Sequence, residues 1–193
     1  MNEEDDKNAL YIRTTKTASS YLVETLLDKN RNIALTDCRK YLTGPENKKT
    51  LNTYKNTFWF TSVRNPYLRA ISCYKYGQTR KNWFDPKLTF EEYLEIDFTT
   101  VRDDYVATHN APISFYLRTV LKEIKYFIRV EDLHNSIQQL CKIIGISNFT
   151  PPSKIVYETK YDKTEIPSLL TKDAKELVYK RYEEDFDNFK YLK

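Results

Sequence analysis

Ala9-Leu10-Tyr11-Ile12-Arg13-Thr14-Thr15-Lys16-Thr17-Ala18-Ser19-Ser20, followed without a break by Tyr21-Leu22-Val23-Glu24-Thr25-Leu26-Leu27-Asp28-Lys29, reads as a strand, a tight loop and a helix. Leu10 and Ile12 alternate with Tyr11 and Arg13 over residues 9–14, which is the period of a strand. From Ser20 to Lys29, Leu22 and Leu26 stand against Glu24 and Asp28 at helical spacing. That order is the opening half of a βαβ unit. The aromatic run from Thr57 to Val63 predicts the next strand, and Asn65-Pro66 then supplies an N-cap with proline at the first helical position.

The alternation continues. Lys125 to Val130 reads as a strand, followed by a helix whose apolar stripe runs Leu133, Ile137, Leu140, Cys141, Ile144 and stops at Gly145. Short helices are expected over Thr89–Ile96 and near Pro112, and a last one over Thr171–Phe189 with Leu177, Tyr182, Phe186 and Phe189 on its core side. Residues 36–56 and 80–87 are polar, carry Gly44-Pro45 and Asp85-Pro86, and read as loops, as does Tyr105 to Pro112. Residues 1–8 form an acidic tail and residues 9–193 a single domain. The predicted fold class is α/β, three layers with a central, largely parallel sheet flanked by helices.

Composition narrows the function. In a chain of 193 residues, 40% hydrophobic content with 15% aromatics is enough for a real core. A formal charge of +4, from 31 Lys and Arg against 27 Asp and Glu, is too mild to indicate a nucleic-acid partner. No run approaches the ~18 apolar residues of a membrane span, and the start, MNEEDDKN, is acidic where a signal peptide is basic. A cytoplasmic location is the expectation. Cys38, Cys73 and Cys141 form no CxxC pair and suit a reducing compartment, with Cys141 on a packing stripe. Oligomeric state has no signature here.

Two segments carry chemistry. A strand that turns through Lys16, Thr17, Ala18, Ser19 and Ser20 into a helix aims unpaired backbone N–H groups and the positive helix end at one point, where an anion binds. Lys16 adds a mobile charge and the hydroxyls add donors, with no metal required. The nucleotide loop G-x-x-x-x-G-K-[ST] is excluded, because Gly44, Gly77 and Gly145 are the only glycines. In the second segment, Val63 to Ser72, Arg64 sits at a strand end beside a helix start, and Ser72 lies about two turns into that helix. A guanidinium fork and a serine hydroxyl suit a phosphate. The other Arg and Lys residues from 64 to 81, interleaved with Tyr67, Tyr74, Tyr76 and Trp83, read as a solvated helix face, with a surface for an acidic ligand such as a sulfated glycan as the alternative.

Tyr11 to Ser20 resembles the P-K-T-A-G-T-S loop of sulfotransferases, particularly the carbohydrate (heparan and chondroitin) branch, and Val63 to Ser72 resembles their R-N-P-Y-x-R-x-x-S segment. His109-Asn110-Ala111-Pro112 resembles an H-W-x-P-Q element, Phe127 to Leu133 the strand and helix start that follow it, and Tyr182 to Phe189 the closing helix. The resemblance implies a P-loop-like three-layer fold with 3′-phosphoadenosine 5′-phosphosulfate as co-substrate. Lys16 to Ser20 would hold its 5′-phosphosulfate, and Arg64 with Ser72 its 3′-phosphate. Thr15 replaces the family's proline, and Ser19 its loop glycine, where a side chain restricts backbone angles.

Sulfuryl transfer needs in-line placement of acceptor and leaving oxygens, with charge building on the leaving group. Lys16 is expected to stabilise that oxygen. The acceptor, a glycan or small-metabolite hydroxyl, needs a base, for which His109 is the candidate and a carboxylate such as Glu24 or Glu92 the alternative. His134 reads as a surface residue. Two other functions stay open: a catalytically silent nucleotide- or sulfate-binding module, and a nucleotide kinase.

Overall fold

In the computed structural model the described residues are 8–28, 30, 32–38, 49, 52–80, 83–98, 100–101, 104–147, 149 and 163–193. Most of the expected acidic tail, much of the 36–56 loop and residues 150–162 lie outside them. Along the chain the elements are β1 (Ala9–Arg13), α1 (Ser19–Leu22, continuing as a wide π turn over Val23–Leu27), β2 (Ile33–Asp37) and β3 (Phe58–Val63). Then come α2 (Pro66–Gln78), α3 (Phe90–Glu95), α4 (Asp104–Asn110), α5 (Ile113–Leu117), β4 (Ile124–Arg129), α6 (Leu133–Ile143), α7 (Ile166–Leu169) and α8 (Lys172–Phe189). No helix among the described residues is long and apolar enough to cross a membrane. They fall into two compact units, one from Met1–Val63 and Tyr116–Tyr157, the other from Arg64–Phe115 and Glu158–Lys193.

The first unit carries the sheet. Among the described residues its four strands run in the order β2-β1-β3-β4, and every neighbouring pair is parallel. With flanking helices this is the α/β fold expected. Ala9, Leu10, Tyr11 and Ile12 are all buried, the signature of a strand covered on both faces. Tyr11 and Phe60 stack at 5.2 Å on the face that packs against Leu22 and Leu26 of α1 and Ile137, Leu140 and Cys141 of α6. Gly145 stops α6 with φ 76, and the Ile146 N–H closes back on the Cys141 carbonyl at 2.8 Å, as a helix-terminating glycine does. The expectation of a loop from residue 36 is corrected at its start: Thr36 and Asp37 belong to β2. A five-residue edge strand whose Leu35 is exposed gives too short an alternation to stand out.

The second unit is helical, and its boundaries follow local capping chemistry. Asn65 Oδ1 accepts the Tyr67 N–H at 3.0 Å ahead of α2, Thr89 and Glu92 form a capping box on α3, and Thr171 Oγ1 accepts the Ala174 N–H at 3.0 Å on α8. Its core is aromatic, with Tyr74, Phe90, Tyr93, Tyr182 and Phe186 buried together. Two expectations are corrected here. Arg69 is not on a solvated face: it is fully buried, 5.5 Å from the Tyr182 ring centre, and donates to the His109 carbonyl at 3.4 Å. Residues 105–110 are not a loop but α4. Its Thr, His and Asn are weak helix formers, so tertiary support decides: Tyr93 donates to Asn110 Oδ1 at 2.7 Å and Tyr182 to the Asn110 carbonyl at 2.8 Å. The next helix is capped from a distance, since buried Asp185 accepts the N–H groups of Ile113 at 3.0 Å and Ser114 at 2.7 Å. Burial pushes its carboxyl pKa up, and the Arg69 guanidinium and the two N–H groups act against that rise.

Candidate functional site

The loop from Thr14 to Ala18 leaves the C-terminal end of the central strand β1, and three hydroxyls hold it there. Thr14 Oγ1 donates to the Ser62 carbonyl at 2.6 Å, and Thr17 Oγ1 donates to the Thr14 carbonyl at 3.0 Å. Ser62 Oγ lies 2.8 Å from Thr17 Oγ1 and 2.7 Å from the Tyr11 hydroxyl. All four side chains are buried, and burial drives the Tyr11 phenol pKa well above its ordinary value, so this chain of hydroxyls stays neutral. The hydroxyl of Thr17 therefore points into the protein, tying the loop to β3, rather than out toward a ligand.

The backbone of the loop is strained. Lys16 has φ 60 and Ala18 has φ 57, both in the left-handed region that costs a side-chain-bearing residue about 1–2 kcal/mol. Ser19, which the resemblance aligns with a loop glycine, is an ordinary helical residue. The left-handed turns fall on its neighbours instead. Such conformations persist only where surrounding bonds over-determine them, which the Thr14, Thr17 and Ser62 hydroxyls do. Ala18 offers no side-chain cap to α1. The first N–H groups of that helix consequently face the loop without a protein oxygen from their N-cap residue. Replacing Thr17 by Val keeps the shape and deletes its three hydroxyl contacts, to the Thr14 carbonyl, Thr14 Oγ1 and Ser62 Oγ. Urea unfolding of Thr17→Val is expected to show a loss of about 1–3 kcal/mol, with Thr17→Ser close to the original.

Arg13 lies against the loop, a placement that sequence reading missed. Its Nε donates to Ser19 Oγ and its Nη2 to Ser20 Oγ, each at 3.4 Å. The signal available was its place at the end of β1, three residues before Lys16.

In the second unit, Arg64 is half-buried just ahead of α2, and Ser72 lies buried inside that helix. His109 is close to α2 as well, because the Cys73 thiol donates to its carbonyl at 2.8 Å. The half-buried imidazole stands among Tyr105, Trp83 and Tyr76, with ring centres 4.3, 5.2 and 5.6 Å away. Its Nδ1 is 2.7 Å from the Tyr105 carbonyl, an atom that only accepts, so in the neutral ring the proton sits on Nδ1 and the basic lone pair on Nε2. Glu92 makes a poor base by comparison: the Thr89 N–H and hydroxyl occupy its carboxylate and lower its pKa. Glu24 is exposed on α1. His134 is exposed, with Nε2 3.3 Å from the Tyr21 hydroxyl. Among the described residues no three His, Cys, Asp or Glu side chains gather as a metal site requires.

A family profile described as Sulfotransferase family matches residues 1–192. No curated protein and no solved structure matches the chain. With nearly the whole length covered, the chain belongs to the sulfotransferase family, whose reaction moves a sulfuryl group to a hydroxyl-bearing acceptor.

Proposed function

We propose that this member of the sulfotransferase family transfers the sulfuryl group of 3′-phosphoadenosine 5′-phosphosulfate to a carbohydrate hydroxyl. The observation that carries the reading is the strained, hydroxyl-braced turn from Lys16 to Ala18, at the C-terminal end of a central parallel strand, where α/β sheets bind ligands. In this reading, Lys16 and the N–H groups from Thr17 to Ser20 take the 5′-phosphosulfate, and Arg64 with Ser72 takes the 3′-phosphate. Arg64 follows Val63, the last residue of β3, and β3 pairs directly with β1 in parallel register.

The acceptor oxygen attacks sulfur in line as the bond to the bridging phosphate oxygen breaks. Lys16 balances the charge that collects on that oxygen, and His109 Nε2 removes the acceptor proton. The products are the sulfate ester, adenosine 3′,5′-bisphosphate and a proton. Exposed Tyr105 and the Arg80 guanidinium, 4.5 Å from the Tyr76 ring centre, give the surroundings of His109 an aromatic and cationic character that suits an acidic sugar. Three buried thiols, none of them joined in a disulfide, fit the cytoplasmic setting proposed from the sequence.

Calorimetry with adenosine 3′,5′-bisphosphate, AMP and ATP tests the donor assignment. The bisphosphate is expected to bind at least tenfold tighter than AMP, by the worth of one charge-assisted phosphate contact; equal affinity for all three would overturn it. The base is tested separately through the pH–rate profile. His109→Ala is expected to lose the limb on which activity rises as an imidazole gives up its proton, together with roughly 10²–10⁴-fold in rate. A mutant profile that keeps that limb excludes His109.

A further inference from the structure

We propose that Arg13 is a second cation of the donor loop and grips the 5′-terminal anion of the nucleotide alongside Lys16; this rests on the donor reading above. Arg13 ends β1 with a half-buried side chain, and among the described residues its guanidinium has two hydrogen-bond contacts, the long ones to Ser19 Oγ and Ser20 Oγ at 3.4 Å. No ion pair joins it to a carboxylate among the described residues, Asp37, its register partner on β2, included. A half-buried guanidinium with five N–H donors ordinarily meets a carboxylate or an oxyanion, at distances near 2.7–2.9 Å as the general rule has it.

The direction of the side chain identifies the ligand. Nε and Nη2 lie on the same side of the guanidinium plane's long edge, and that edge is the one which binds an oxyanion through two parallel N–H bonds. Here both atoms face the hydroxyls of Ser19 and Ser20, the residues that open α1 directly after the left-handed turn at Ala18. A sulfonate or phosphate seated on the loop would exchange two long contacts to neutral hydroxyls for two short contacts between opposite charges. Both hydroxyls would then be available to donate to the same anion. Arg13 would thus make the loop selective for nucleotides with a charged 5′ group, independently of the 3′-phosphate.

The test is calorimetric titration of the full chain and of Arg13→Gln and Arg13→Lys with adenosine 3′,5′-bisphosphate and with adenosine 3′-phosphate, which lacks the 5′ anion. Arg13→Gln is expected to weaken the bisphosphate about tenfold or more while leaving adenosine 3′-phosphate unchanged, which also reports an intact fold. Arg13→Lys should recover part of the loss, because it keeps the charge and gives up the fork. Equal weakening of both ligands would make Arg13 a structural brace and overturn the assignment, as would no change in either. Binding of neither ligand by the unmodified chain sinks the donor reading and Arg13's role with it, whereas normal binding with an indifferent Arg13→Gln sinks this role alone.

Discussion

Lys16→Ala is expected to lower turnover by about 10²–10³-fold, the range for deleting one donor aimed at transition-state charge, with a far smaller effect on its melting temperature. The separation of activity from stability has a structural cause. Lys16 sits at φ 60, and alanine, which also carries a Cβ, suffers the same left-handed strain, so the folded loop costs as much as before. Lys16→Gly sharpens the contrast. Glycine relieves about 1–2 kcal/mol of that strain and returns about 0.5–1 kcal/mol of it through the greater freedom of the unfolded chain. This variant is therefore expected to be as stable as the original or slightly more so, and equally inactive. Turnover measured beside thermal unfolding checks both. If Lys16→Ala retains full turnover, Lys16 does not stabilise the leaving oxygen.

Arg64→Ala is expected to weaken adenosine 3′,5′-bisphosphate by about 10–100-fold, the worth of one or two hydrogen bonds to a charged group, and to leave AMP binding nearly unaltered. The ratio between the two ligands is the decisive readout, because a general disturbance of α2 would depress both. Arg64→Lys should fall between, since an ammonium keeps the charge without the planar fork. The neighbouring arginine supplies the control. Arg69 is buried against Tyr182 and bonded to the His109 carbonyl, so its replacement is expected to show in unfolding measurements before it shows in nucleotide selectivity. A Arg64→Ala variant with an unchanged ligand ratio would place the 3′-phosphate elsewhere.

Much of the candidate site was legible because it is written in short spans of sequence. The strand that ends at Arg13, the loop through Lys16 and the helix from Ser19 are consecutive, and β3 runs into Asn65-Pro66 in the same way. Caps are equally local: Asn65, Thr89 and Thr171 bond N–H groups two or three residues away, and Gly145 adopts its positive φ at the end of its own helix. Roles for individual side chains were harder to read. Thr17 looked like a ligand donor, yet its hydroxyl reaches Ser62 at a separation of 45 residues. Arg64 and Arg69 are the same residue type five positions apart, yet Arg64 is half-buried and Arg69 fully buried.

Periodicity and capping alone determined that parallel strands alternate with helices, that Lys16 lies in the loop after the first strand and that Arg64 directly follows another. Those signals act over a few residues and survive in a bare string. Tertiary structure decided which polar groups face inward: the hydroxyl chain under the lysine loop, the burial of Arg69, the helix around His109, and the capping of α5 by Asp185 from 71 residues away. A buried polar group is stable only when a partner satisfies it, and the partners here are remote in sequence, so only the folded chain brings them within reach.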